Sequence, residues 1–188
     1  MASGEGADQG SFKDLILDLG VKLLRDFVYR WIERHINSFT VTREQLEAPE
    51  LHDPNHNKIA QCLQKIGDEL ERNEQIKRFM KNPELSFSFK DFCDMVYELF
   101  KDGNFNWYRV AALFYLTSKL IIRAHEAGLL EKIKAIISWA IDYLRENLIN
   151  WIREQGGWEA IYLSTPTWQA VGGFLAGFLT AIFVMLRM

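Results

Sequence analysis

The sequence predicts an all-α protein, a globular bundle of eight or nine helices around a central apolar helical hairpin. Three observations carry this. Apolar residues recur every three or four positions along most of the chain, no stretch of useful length alternates with period two, and Val110–Ser118 contains no charge at all. A helix that is apolar around most of its circumference is normally buried on every side, so the rest of the bundle is expected to wrap around it.

The opening residues, MASGEGADQG, have neither the basic nor the apolar region of a secretory signal, and residues 1–11 read as disordered. From Phe12 the set Leu15, Leu19, Leu23, Phe27 and Trp31 repeats at helical spacing between Lys, Asp and Arg, which predicts an amphipathic helix. Residues 36–57 lose the pattern and carry Pro49, Pro54 and several Asn and His, so they read as a loop. Lys58–Asn73 then brings Ile59, Leu63, Ile66 and Leu70 onto one helical stripe. Gly67 interrupts that stripe with a residue that costs roughly 1 kcal/mol relative to alanine in a helix, and Asp68 follows at the stripe's edge.

Beyond Pro83 an amphipathic segment runs to Phe100, and Asp102-Gly103-Asn104 reads as a turn, with Asn104 or Asn106 available as an N-cap. The apolar helix Trp107–Ala124 follows. A short connection at Gly128 leads to a second long helix, LLEKIKAIISWAIDYLRENLINWI, and so to an antiparallel hairpin. Gly156, Gly157 and Pro166 mark another break. The end differs from everything before it. Ala170–Leu186 is uncharged, and with Thr167–Gln169 it offers about 20 residues, roughly 30 Å of helix, the thickness of a bilayer's hydrocarbon core. The chain therefore divides into a helical-bundle domain, 1–166, and a C-terminal transmembrane anchor, 167–188. Within the anchor Gly173, Gly177 and Ala181 form a line of small residues. Such a line suits either close approach of two membrane helices or a slim fit into a groove of the same bundle.

Composition excludes several function classes. With 25% charged residues and a net charge of −3, the chain shows no basic footprint for nucleic acid. Cys62 and Cys93 read as packed thiols in a reducing compartment rather than a disulfide framework. No nucleophile elbow, phosphate loop or dinucleotide fingerprint occurs, so no enzyme and no cofactor are expected. His52 and His56 flank Asp53 at a ligand-like spacing, but Pro54 breaks the helix that would align them, and a solvated loop with no metal is the expectation. Asp142 and Glu146 read as the polar face of an amphipathic helix.

Four stretches together carry a family resemblance. LQKIGDEL, Leu63–Leu70, resembles the death motif (the third homology region) of the B-cell-lymphoma (Bcl) apoptosis regulators. DGNFNWYRVAALFYLTSK resembles their first homology region and WIREQGGWEAIYLSTPTWQ their second, in the family's order, and an apolar C-terminal anchor completes the set. The wording of these stretches is closest to the family's pore-forming, pro-apoptotic effectors.

The resemblance implies a surface groove that receives an amphipathic helix. It makes Ile59, Leu63, Ile66, Gly67, Asp68 and Leu70 the death-motif helix, and Asn106, Trp107, Tyr108 and Arg109 the groove motif. Arg109 matches the groove arginine and is the expected counterpart of Asp68, within one chain or between two. The family usually has NWGR where this chain has NWYR, so Tyr108 is expected to crowd an incoming helix and alter partner selectivity. The implied function is a soluble monomer, cytoplasmic at rest, that inserts into the mitochondrial outer membrane. Copies exchange death-motif helices between grooves, oligomerise, permeabilise the membrane and release cytochrome c. Implied partners are other copies of the chain, death-motif-only activators, pro-survival family members and outer-membrane lipid. The alternatives are a pro-survival guardian of the same family and a tail-anchored, helix-docking scaffold.

Overall fold

The computed structural model describes residues 3–36, 41–74, 78, 88–100 and 106–163, and every regular element among them is helical. Helix α1 spans Ser3–His35, α2 Arg43–Leu46, α3 Pro54–Glu71, α4 Phe89–Phe100, α5 Trp107–Glu126 and α6 Leu130–Tyr143. A π-helical turn, Leu144–Leu148, joins α6 to α7, Ile149–Glu154, and α8 spans Ala160–Leu163.

Helix α5 is the axis. Val110, Ala111, Leu113, Phe114 and Ile121 are fully buried, and α1, α3, α4 and α6 all pack against it. Thr117 and Ser118 need no partner outside the helix, because Thr117 Oγ1 donates to the Leu113 carbonyl at 2.7 Å and Ser118 Oγ to that of Phe114 at 3.0 Å. Back-bonding to the i−4 carbonyl lets a polar side chain sit in an apolar wall. Asn106 caps the helix as expected, its side-chain oxygen accepting from the Arg109 backbone N–H at 2.9 Å. Gly128, at φ 74°, turns the chain between α5 and α6 in a conformation that a Cβ would penalise, which closes the predicted hairpin.

Two boundaries differ from the sequence reading. Residues 3–11, expected to be disordered, continue α1. Once the amphipathic part beyond Phe12 has nucleated, each added residue gains a hydrogen bond without a new nucleation penalty. The expected loop 36–57 contains α2 and the first turn of α3. Thr42 and Gln45 form a reciprocal capping box at the start of α2, while Asp53 caps α3 and Pro54 occupies its first turn, where a missing N–H is harmless. Among the described residues no helix is long and apolar enough to cross a membrane. The predicted anchor 167–188, with Gly173, Gly177 and Ala181, lies outside the described residues, as does the Asp102–Asn104 turn.

Candidate functional site

The stripe that stands out in the sequence is the inner face of α3. Ile59, Leu63 and Leu70 are wholly buried and Ile66 nearly so. Burial of each side chain contributes on the order of 1.5–3 kcal/mol before ordering costs are subtracted. Gly67 lies where α3 passes close against the aromatic side chains of α1. A Cβ placed there would meet Trp31 Cζ3 at 2.8 Å and Phe27 Cζ at 3.1 Å. Those rings cannot easily move aside. Both are buried and stacked on each other, and Trp31 is also stacked on His35 and edge-on to Tyr115. The glycine weakens the helix locally and in exchange admits an aromatic wall.

The polar edge of α3 is held as firmly as its apolar face. Arg34, in the last turn of α1, donates from one terminal nitrogen to both Asp68 carboxylate oxygens, at 2.7 and 2.9 Å. Its other terminal nitrogen donates to Gln64 Oε1 at 2.6 Å, and Gln64 Nε2 donates to the Phe27 carbonyl at 3.1 Å. At the start of α3, Arg30 donates to Asn57 Oδ1 at 2.9 Å. At its end, Tyr115 of α5 donates to Glu71 Oε2 at 2.6 Å, and Lys119 Nζ lies 3.3 Å from the same carboxylate. Burial raises the Tyr115 pKa, and the Glu71 carboxylate adds to the effect, so the phenol stays a donor across the working pH range.

Within the chain Asp68 therefore pairs with Arg34 and not with Arg109, the first of the two arrangements that the resemblance left open. The reason is geometric: α3 lays its Asp68 edge on the C-terminal end of α1, whereas Arg109 sits in the first turn of α5 and influences Tyr143 of α6. The four expected groove residues remain together at the start of α5. Trp107, Tyr108 and Arg109 are buried, and Trp107 packs edge-on to Trp151 and against Trp158. Burial, reinforced by the charge of Glu69 on α3, pushes the Tyr108 phenol up to about 12. A cavity of about 410 Å³ opens elsewhere, between α2 and α6, lined by Val41, Leu46, Leu130, Ile133 and Lys134 among others. No cluster able to hold a metal ion occurs among the described residues, and Asp53, the middle of the His52/Asp53/His56 group, is used as the α3 cap.

Residues 63–158 match the family described as apoptosis regulator proteins, Bcl-2 family, a span that opens inside the α3 stripe and ends at Trp158. The chain belongs to the Bcl-2 family. Human apoptosis regulator BAX is 43% identical over 143 residues, covering 72% of this chain and 74% of that protein. The fold is shared with chicken BOK, at TM-score 0.67 and 18% identity over 80% of this chain and 97% of that one. It is also shared with Trichoplax adhaerens trBcl-2L2 bound to trBak BH3, at TM-score 0.61 and 22% identity over 78% and 96%. Bcl-2 family members are regulators and not enzymes, which agrees with the missing catalytic signatures.

What the family motifs do not reveal is the clasp around α3. Arg34, Gln64, Glu71, Tyr115 and Lys119 look like ordinary surface or helix residues in the sequence, because their partners lie tens of positions away. Of the elements inside the expected loop, α2 carries a legible local signal in the Thr42-x-x-Gln45 capping pattern, and the start of α3 carries one in Asp53-Pro54.

Proposed function

We propose that the chain is a BAX-like pro-apoptotic effector that passes from a soluble monomer to membrane-inserted oligomers. The observation that carries this reading is the inward stripe of α3: Ile59, Leu63, Ile66 and Leu70 are all buried, on a helix with the motif by which a BAX-like chain would engage a neighbour. Anchors at i, i+4, i+7 and i+11 suit a helix that lies in a hydrophobic groove, so the same four side chains serve either as core or as ligand. In support, a neighbour of the same fold is described as bound to a BH3 segment.

On this reading a trigger helix binds the open state more tightly than the closed one, and that difference in affinity shifts the population. Residues 167–188 anchor the protein in the mitochondrial outer membrane, α3 leaves its own core, and copies pair by placing Asp68 against a neighbour's Arg109. Asn106 and Trp107 hold the first turn of α5 in place for that contact, and Tyr108 restricts which helices enter. Small residues Gly173, Gly177 and Ala181 pack the anchor. Lys119 and the charges of α6 oppose deep spanning by the α5–α6 hairpin, which instead lies in or on the bilayer. Oligomers then release cytochrome c.

The test is dye release from liposomes of mitochondrial outer-membrane lipid composition, with and without a synthetic Lys58–Asn73 peptide as trigger. Release that grows with peptide is expected. Tight peptide binding with no release would overturn the effector reading in favour of a pro-survival guardian.

A further inference from the structure

Asp68 has a ready partner in the resting chain, and this bears on how α3 is let go. We infer that Arg34 is a clasp that withholds Asp68, and with it α3, until Asp68 exchanges this guanidinium for Arg109 of a second copy. The inference rests on the effector reading above for the identity of the second partner, and on the geometry of α1 and α3 for the first.

Three features single Arg34 out. One terminal nitrogen of its guanidinium bridges both Asp68 oxygens and the other reaches Gln64 one turn earlier, so one side chain grips two successive turns of α3. Its partner Asp68 follows Gly67, the residue at which α3 lies close against Trp31. The pair also lies at the rim: the side chains of Arg34 and Asp68 are 42% and 30% exposed, against 22% and 21% for the Lys119–Glu71 pair at the end of the same helix. Water can reach the rim pair and loosen it without first dismantling the core, whereas Arg109 of a second copy, buried in its own chain, meets Asp68 only after α3 has left.

The chemistry of the exchange is symmetrical. Asp68 begins and ends bound to an arginine fork, so no carboxylate is stranded in a dry interface at the end of the process. The clasp therefore acts mainly on when α3 leaves and in what register it arrives. Other groups around Asp68 fit this role: His35 Nε2 stands 4.0 Å from Asp68 Oδ1, but its ring is stacked on Trp31, which fixes it in the wall and leaves the grip to Arg34.

Hydrogen exchange on the full-length protein without membranes tests this. Arg34→Ala is expected to speed exchange at amides 63–71 about fivefold, the size set by a partly exposed charge-assisted pair, with amides 12–30 of α1 unchanged. Arg34→Lys, which keeps the charge and loses the fork, should fall between. Asp68→Asn should reproduce the effect, and adding Arg34→Ala to it should change little more. No acceleration in Arg34→Ala, equal acceleration throughout α1, or full additivity of the two substitutions overturns the clasp. In the liposome assay Arg34→Ala should reach half-maximal release at about fivefold less Lys58–Asn73 peptide. Failure of the wild-type protein to release dye defeats the effector reading, while the exchange data decide the clasp separately.

Discussion

Helices α3 and α5 both press an apolar face against α1, yet they are held in different ways. Helix α5 is buried nearly all round, and even the hydroxyls of Thr117 and Ser118 turn back onto carbonyls of the same helix. Nothing short of dismantling the core would free it. Helix α3 buries one stripe, and its other hold on the molecule consists of side-chain bonds along an edge: Asn57 to Arg30, Gln64 and Asp68 to Arg34, Glu71 to Tyr115 and Lys119. Bonds of that kind can be exchanged for water or for another chain's groups one at a time. The difference separates the fixed axis of the fold from the helix that the proposed mechanism releases.

The comparison breaks most visibly through α5. Phe114 is fully buried between Phe27 and Trp158, so Phe114→Ala is expected to lower unfolding stability by about 3–5 kcal/mol in denaturant titration. A loss below about 1 kcal/mol would mean that α5 is not the fixed axis. A smaller effect is expected at the joint between α3 and α1. Gly67→Val puts two methyl groups against Trp31 and Phe27, and overpacking there should destabilise the fold by about 2–3 kcal/mol, outweighing the gain in helix propensity. Stabilisation by this variant would refute the close approach. Smallest is Tyr115→Phe, which removes the donor to Glu71 while Lys119 still faces the carboxylate. A loss of about 1–2 kcal/mol is expected, with faster amide exchange in the last turn of α3 and none at the start of α5.

The same contrast explains which features were legible in the sequence. Periodicity located α1, α3, α5 and α6 because one-sided burial repeats every three or four residues, and Asn106 announced the start of α5 through local capping chemistry. The loop expected at 36–57 was read from its prolines and polar residues, which also happen to be good helix starters; Pro54 begins α3 instead of preventing it. The π turn at Leu144–Leu148 left no mark in the periodicity and split what reads as one long helix.

By itself the sequence determined the all-α class, the apolar axis, the stripe on α3 and the family to which these belong, since each is written in spacings of a few residues or in short motifs. Tertiary structure alone decided the partners. The family resemblance pairs Asp68 with Arg109, but a guanidinium pairs with whichever carboxylate the fold brings within reach, and the packing of α1 against α3 brings Arg34. Gly67 shows both sides of this. Its oddity inside a helix is visible in the chain, whereas its cause, the stacked rings of Phe27 and Trp31, is found only where the two helices meet.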